Sequence, residues 1–434
     1  SALFAPFSNL GLIVIDEEHE SSYKSDNIPK YHARETAIKR ADMNHASVIL
    51  GSATPSVSSY YQAEQGNYRL WKLTERVQKR SLPKVEIVDL REELQKGNRS
   101  RFSYRLQELI EDRLSRKEQS IIFMNRRGYA SFVSCRSCGE VVNCPHCQVS
   151  LTYHDHHSAV PKLVCHYCGY TEPFIKKCKV CGSGMIGRFG SGTQMVEAEL
   201  QEFFPEARIL RMDADTTKGK DGHERILSAF AEGKADILVG TQMIVKGHDF
   251  PNVTLVGILA ADLSLHSQDY MAGERTFELL TQAAGRAGRG ERPGQVVIQT
   301  YDPEHAVIRA AAAQDYELFY RNEITYRKIL KYPPVVSMIA VLITGEQEEQ
   351  VQKCAEHLAD YMRTTVPGEV IRVIGPSTPV IGKIHDVYRR ILYLKSEQEQ
   401  ALLDAKVQLE LYAEQSGVQE ACRLYFDLNP MKGY

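Results

Sequence analysis

Eight of the ten cysteines fall in four Cys-x2-Cys pairs, at 135/138, 144/147, 165/168 and 178/181. Two such pairs supply the four thiolates of a closed tetrahedral zinc site, so the run calls for two structural Zn²⁺ ions held by Cys135, Cys138, Cys144, Cys147, Cys165, Cys168, Cys178 and Cys181. In a small secreted protein this many cysteines would suggest disulfides. Here the chain is 434 residues long and the spacing is paired, which favours metal in a reducing compartment. A site filled by four thiolates keeps no open position and is structural rather than catalytic. Spacing does not fix which pairs combine. A nested arrangement is attractive, with Cys135/Cys138 and Cys178/Cys181 at the base and the inner pairs at the tip. His146 and His166 could compete as ligands, but each sits inside a pair and reads rather as a neighbour of the metal or as exposed. Cys354 and Cys422 stand alone and are expected in apolar cores.

The stretch 126–188 is locally basic, with eight Lys/Arg against three acids. That suits a contact surface for nucleic acid or protein, although solvated lysines around a zinc knuckle would look the same. Over the whole chain 53 cations face 55 acids, a net charge of −2, so any basic surface must be local. The longest apolar runs, such as 253–261, are too short to span a bilayer, and there is no signal peptide. A soluble, cytoplasmic protein with no membrane partner is expected.

Chemistry is concentrated at a few segment ends. Residues 10–15 form an apolar run that stops on Asp16, Glu17, Glu18 and His19. Such a run reads as a buried parallel strand, and in open α/β sheets reacting groups sit at the carboxyl ends of strands. Asp16 there can hold Mg²⁺ and Glu17 can orient and deprotonate water. From these four residues alone a solvated acidic turn reads equally well. Residues 19–34 form a loop with Tyr23, Lys24, Lys30, Tyr31, His32 and Arg34. Aromatics interleaved with cations suit base stacking and phosphate contact, and tyrosines packed on their own domain are the alternative. Near the other end, Gln282-Ala-Ala-Gly-Arg286-Ala-Gly-Arg289 places two arginines three apart on one helical face. They can meet a γ-phosphate, or simply close a helix against its dipole. Thr241 and residues 246–249 follow another strand and could hold a phosphate backbone or relay nucleotide state.

Helices expected at 35–43, 103–117, 193–204, 223–231 and 269–285 alternate with strands at 46–50, 120–125, 207–212, 235–240, 253–261 and 295–299. Alternation of this kind means a parallel sheet with crossovers. Residues 66–101 read as a mixed join. From about residue 332 the order becomes βαββαβ, a ferredoxin-like α+β layout.

Asp-Glu-Glu-His (16–19), Gly-Ser-Ala-Thr-Pro (51–55), Gly-Thr-Gln-Met-Ile-Val-Lys-Gly-His-Asp (240–249) and Gln-Ala-Ala-Gly-Arg-Ala-Gly-Arg (282–289) resemble motifs II, III, V and VI of a superfamily 2 helicase. With Asn-Arg-Arg-Gly-Tyr (125–129), the cysteine insertion and the tail, the chain resembles the bacterial primosomal replication-restart helicases, the PriA (protein N′) family. The resemblance implies an α/β fold of RecA-like lobes with a zinc insertion. It divides the chain into 1–82 (part of lobe 1), 83–133 (linker and start of lobe 2), 134–182 (zinc insertion), 183–330 (lobe 2) and 331–434 (C-terminal domain).

The activity implied is that of a 3′→5′ DNA translocase that unwinds the lagging-strand duplex at stalled forks. Asp16 would serve Mg²⁺ and Glu17 would be the base, while His19, Ser52 and Thr54 would couple nucleotide state to DNA. Gln282, Arg286 and Arg289 would complete the ATP site, with Arg289 as the finger, and Gly247 and Asp249 would join it. Tyr23, Lys24, Tyr31, Arg34, Thr241, Lys246, Lys383 and Arg389 would contact DNA, with His385 and Arg390 nearby. The family also pairs its cysteines in the nested way. Implied partners are forked and single-stranded DNA, single-strand DNA-binding protein, other primosome proteins, and the replicative helicase with its loader. These act in the cytoplasm, at forks in the nucleoid.

One part of the family's pattern is missing. No segment matches the phosphate loop Gly-x4-Gly-Lys-Ser/Thr. A strand that follows residues 1–9 with no earlier element reads as cut from a longer chain. This chain alone is therefore expected to hydrolyse ATP barely or not at all. A reading from another class is a zinc-stapled DNA- and protein-binding platform without chemistry of its own.

Overall fold

The computed structural model describes residues 2–28, 30–73, 82–124, 133–145, 150–154, 161–165, 169–188, 193–213, 216–217, 222–241, 244, 250–266, 269–290, 292–384 and 386–433. Strand Leu12–Ile15 pairs in parallel with Ser47–Leu50, in register from Leu12↔Ser47 to Ile15↔Leu50. Helix Ala33–Met43 connects them and buries Ala37 and Ala41. Parallel pairing agrees with the sequence pattern, but burial does not. Side chains alternate across a strand and the helix covers one face. Leu12 and Val14 therefore stay 51% and 62% exposed while Ile15 is buried.

The main sheet has six parallel strands in the order Ile209–Met212, Ile237–Gly240, Gln119–Met124, Val253–Leu259, Gln295–Thr300, Lys84–Asp89. Its central strands Gln119–Met124 and Val253–Leu259 are buried at every position, as both faces are covered. On one face Ile121, Phe123, Val256 and Ile298 meet Phe230, Phe277, Leu280 and Phe319. On the other, Ile122, Leu255 and Val297 meet Leu106, Ile110, Val196 and Leu200. Gly257 is required here, because a Cβ would lie 2.8 Å from the Leu106 side chain.

Two features depart from the sequence pattern. Within the expected join, Lys84–Asp89 is the edge strand of this sheet, paired with Gln295–Thr300. Helices Ala306–Ala313 and Tyr316–Leu330, at positions where none was expected, complete the first core with Ile308, Phe319 and Ile324.

After residue 336 comes an antiparallel sheet ordered Arg372–Ser377, Val387–Ser396, Ser337–Gly345, Arg423–Leu428, with Lys383–Ile384 at its margin. This is the βαββαβ order expected. Alternation splits the sheet's two faces. Ile339, Val341 and Ile343 pack under helices Glu348–Thr365 and Glu399–Gln415. Met338, Ala340 and Leu342 pack against Tyr270, Tyr332 and the cysteine region's Val133, Leu151 and Leu163. No helix among the described residues is long and apolar enough to cross a membrane.

A buried charge network joins these parts. Glu274 on helix Ala272–Ala284 accepts from the Val57 backbone N–H at 2.7 Å and from the Arg327 guanidinium at 2.6 Å. Arg327 also donates to Glu323 at 2.8 Å and to the Pro333 carbonyl at 3.0 Å. Removing one member of a buried ion pair leaves the other's desolvation uncompensated. Arg327→Ala is expected to lower unfolding free energy by about 3–5 kcal/mol in denaturant titrations. A loss below about 1 kcal/mol, the size of an exposed pair, would refute this account.

Candidate functional site

The four residues after strand Leu12–Ile15 divide by chemistry. Glu17 has φ +46, a left-handed backbone, and its N–H donates to the Asp16 carboxylate at 2.9 Å. This turn leaves Asp16 and Glu17 exposed and turns Glu18 and His19 inward. The ends of the two strands are zipped together, Gly51 N–H to the Ile15 carbonyl and Glu18 N–H to the Gly51 carbonyl. Both candidate metal-and-water residues therefore sit at an open sheet end.

His19 bridges the two lobes. Its Nδ1 lies 2.7 Å from Ser52 Oγ and its Nε2 lies 2.9 Å from Gln282 Nε2. With the Gln282 amide nitrogen facing the ring, the tautomer that fits both contacts accepts at Nε2 and donates from Nδ1–H to Ser52. Ser52 Oγ also accepts from Thr54 N–H at 3.0 Å. Ser52 and Gln282, 230 positions apart, are thus joined through one imidazole.

Arg286 and Arg289 do not share a helical face. The helix ends at Ala284, and a turn with Gly288 at φ +71 follows. A Cβ on Gly288 would lie 2.3 Å from the Gly294 nitrogen, so only glycine closes this turn. Arg289 Nε donates to the Gly285 carbonyl at 2.9 Å, capping the helix end, and its side chain stays at the surface.

The loop of residues 20–32 reaches in two directions. Tyr23 donates its hydroxyl to the Asp16 carbonyl at 2.8 Å. Burial, then Asp16, Glu20 and Glu17, raises its phenol pKa and keeps it a donor. Tyr31 meets Phe4 edge-on at 5.3 Å. Two of the cations expected to face DNA are engaged inside the protein. Arg34 is buried and bonds Glu18 at 2.9 Å, Ser56 at 2.7 Å and Ser59 at 2.8 Å. Glu18 needs that partner, as it also accepts from Ser56 N–H at 2.6 Å. Lys24 is 9% exposed and pairs with Asp427 at 2.9 Å. His32 is pushed down to about 3 by burial, then by Arg34 and Lys24, and its neutral Nδ1 accepts from Arg34 N–H at 3.1 Å.

Thr241 is half-buried just past strand Ile237–Gly240, while Lys246, Gly247, Asp249 and His385 lie outside the described residues. Lys383 is exposed, 2.8 Å from Asp386 and 4.8 Å from the Tyr388 ring. Arg389 donates to the Ile381 carbonyl at 3.0 Å. Arg390 is buried and bonds Glu348 at 2.9 Å.

Cys135, Cys138, Cys178 and Cys181 converge, with sulfurs all within 4.8 Å of one another. Cys135–Cys181 and Cys138–Cys178 are each 3.6 Å apart, far too long for a disulfide. Zn–S bonds of about 2.3 Å in a tetrahedron place sulfurs about 3.8 Å apart, so the four fit one zinc ion. Both pairs sit in tight knuckles, with Gly139 and Gly182 at φ +81 and +70 after the second cysteine. That glycine follows three of the four pairs in the sequence and marks the knuckle without a structure. Of the inner pairs Cys144 and Cys165 are buried, and Cys147 and Cys168 lie outside the described residues. Strand Val133–Cys135 pairs antiparallel with Ile186–Arg188, so the insertion leaves and returns at one point.

Three family models match the chain. The primosomal protein N C-terminal domain covers residues 328–431, the helicase conserved C-terminal domain 185–291, and the PriA DNA helicase Cys-rich region 144–173. The replication restart protein PriA of Bacillus subtilis is 48% identical over 430 residues, 99% of this chain and 53% of that relative. The Synechocystis protein of the same name is 46% identical over 402 residues, 91% of this chain and 48% of the relative. In Rickettsia felis the figures are 36% over 436 residues, 100% and 65%. The chain spans about half the length of the first two of these relatives. Zinc knuckles inserted in a helicase lobe, an antiparallel tail domain and identity along the whole chain agree: this chain belongs to the replication restart protein PriA family.

Proposed function

We propose that this chain provides the second motor lobe, part of the first, the zinc region and the C-terminal domain of an ATP-dependent 3′→5′ DNA helicase. In this reading the whole protein binds stalled forks and D-loops and unwinds the lagging-strand duplex. It then assembles the primosome that reloads the replicative helicase. Its partners are forked and single-stranded DNA, single-strand DNA-binding protein, and the replicative helicase with its loader. It works in the cytoplasm, at forks in the nucleoid.

The observation that carries this reading is the Ser52–His19–Gln282 chain of hydrogen bonds across the lobes. A static platform has no use for a polar wire between an acidic strand end and the end of a helix in another lobe. In a motor that wire reports lobe closure to the acidic residues. ATP with Mg²⁺ supplies the phosphoryl chemistry when bound. Asp16 would hold the ion and Glu17 would orient and deprotonate water, both from an exposed strand end. Arg286 and Arg289 would approach from the glycine-rich turn. The zinc region would hold two structural ions, one on the outer cysteines and one on Cys144, Cys147, Cys165 and Cys168. The platform reading is favoured for this chain alone by one feature, the lack of any Gly-x4-Gly-Lys-Ser/Thr segment.

Three measurements test this. In the full-length protein, Glu17→Gln is expected to lower DNA-stimulated ATP turnover about 10²–10⁴-fold with little change in DNA affinity. Turnover at the unmutated level would remove Glu17 from the chemistry. The 434-residue chain itself is expected to bind forked DNA and hydrolyse ATP at background rate. DNA-stimulated hydrolysis by this chain would show that the phosphates are held by other residues. Finally, thiol modification of the unfolded chain is expected to release two zinc ions, and Cys178→Ser to release one. One ion from the unmutated chain would reject the inner site.

A further inference from the structure

The loop after the acidic strand end is gripped by the C-terminal domain through charge. Lys24 and Lys30 both reach Asp427, at 2.9 and 3.6 Å. Lys24 also donates to the Leu428 carbonyl at 2.7 Å. From the other side Lys432 pairs with Asp26 at 2.9 Å. Asp427 and Leu428 end strand Arg423–Leu428, some four hundred residues along the chain from the loop. Side chains of Lys24, Lys30 and Asp427 are only 9%, 17% and 10% exposed. While this contact stands, the Lys24 ammonium is occupied by Asp427 and the Leu428 carbonyl.

Two ammonium groups sharing one carboxylate oxygen pair form a compact, largely desolvated anion site. A phosphodiester offers the same charge and the same two acceptor oxygens. Loop geometry makes the site consequential. Lys24 stands next to Tyr23, whose hydroxyl holds the Asp16 carbonyl. Bridge pairing of Lys24 with His32 and the Ser25 N–H to Tyr31 carbonyl bond tie the two ends of the loop to each other.

We propose that Asp427 is a latch. In the DNA-free molecule it occupies the place of a single-strand phosphate on Lys24 and Lys30. Strand binding to the loop and release of the C-terminal strand end are then one event, reported to Asp16 through Tyr23. This rests on the proposed DNA role of the loop, and it accounts for the burial of Lys24, one of the cations assigned to DNA. Asp427 acts here as a positioning residue, through the lysines it holds.

The test is fluorescence anisotropy of a labelled oligothymidylate with this chain, over a range of salt. Asp427→Asn keeps the side chain's volume and removes its charge, and it is expected to tighten binding about 5-fold or more. The gain is expected to vanish when Lys24→Ala and Lys30→Ala are added. Those two substitutions alone are expected to weaken binding and to flatten the salt slope by about 1.4, two single-strand phosphates' worth. Weakened binding on loss of the lysines, with Asp427→Asn no tighter than the unmutated chain, would overturn the latch and leave the loop's DNA role standing. Lysine substitutions without effect on affinity or slope would overturn both. A second measurement needs no variant. In hydrogen exchange, oligothymidylate is expected to protect residues 20–32 and to speed exchange in residues 423–428. Unchanged or greater protection of the latter segment on binding would equally overturn the latch.

Discussion

One carboxylate fixes how the parts of this molecule meet. Glu274 gives one oxygen to the first backbone N–H of helix Val57–Glu64 and the other to Arg327. The first contact satisfies an orphan donor at a helix start in one lobe. The second lies in the helix that leads, through Pro333, into the C-terminal domain. A carboxylate this deeply buried is tolerable only with both partners present. Lobe orientation, the path to the tail and the setting of the motif helix are thus one requirement. Gln282 lies two turns further along that helix, so its reach to His19 depends on Glu274 being satisfied.

The C-terminal sheet extends this dependence to the zinc region. Its inner strand Ser337–Gly345 is buried on both faces, one against its own helices and one against lobe 2 and the cysteine hairpins. The apolar second face removes the usual freedom of a tail domain. Gly139, beside the outer cysteines, comes so close to the Tyr301 carbonyl that a Cβ would sit 2.5 Å from it. The knuckle is therefore seated on the end of the central sheet rather than tethered to it. Chelating thiolates and sheet packing support the same geometry from opposite sides.

What could be read from the sequence was whatever depends on near neighbours in the chain. Cysteine spacing, the alternating strands and helices, and the βαββαβ tail are local patterns, and each appears in the fold. The edge strand Lys84–Asp89 was illegible because a half-exposed strand carries only Val85, Ile87 and Val88 as apolar signal. Helix Ala306–Ala313 hid in an alanine run with little polar contrast. At the candidate site, the failures are failures of distance. Residue type marks Arg34 and Lys24 as available cations, but their partners Glu18 and Asp427 are known only once the chain is folded. Likewise the pair Arg286 and Arg289 seems helical until Gly288 takes a left-handed turn. Of the inner cysteines, half lie outside the described residues.

The division of labour across Asp16, Glu17, Glu18 and His19 follows from a single backbone choice. In a regular strand, alternate residues would face the same way, putting Asp16 with Glu18 and Glu17 with His19. The left-handed φ of Glu17 breaks that alternation. It sends two adjacent residues outward and the next two inward. A glutamate in that conformation is strained, of order 1 kcal/mol or more, and persists only where its surroundings determine it. Here they do: Asp16 caps the Glu17 N–H, Gly51 takes the Glu18 N–H, and Arg34 with two serines holds the Glu18 carboxylate. The buried pair, Glu18 and His19, thus provides the rigidity that lets the exposed pair be open. An anchor made only of apolar residues could hold the strand, but it could not hold the turn.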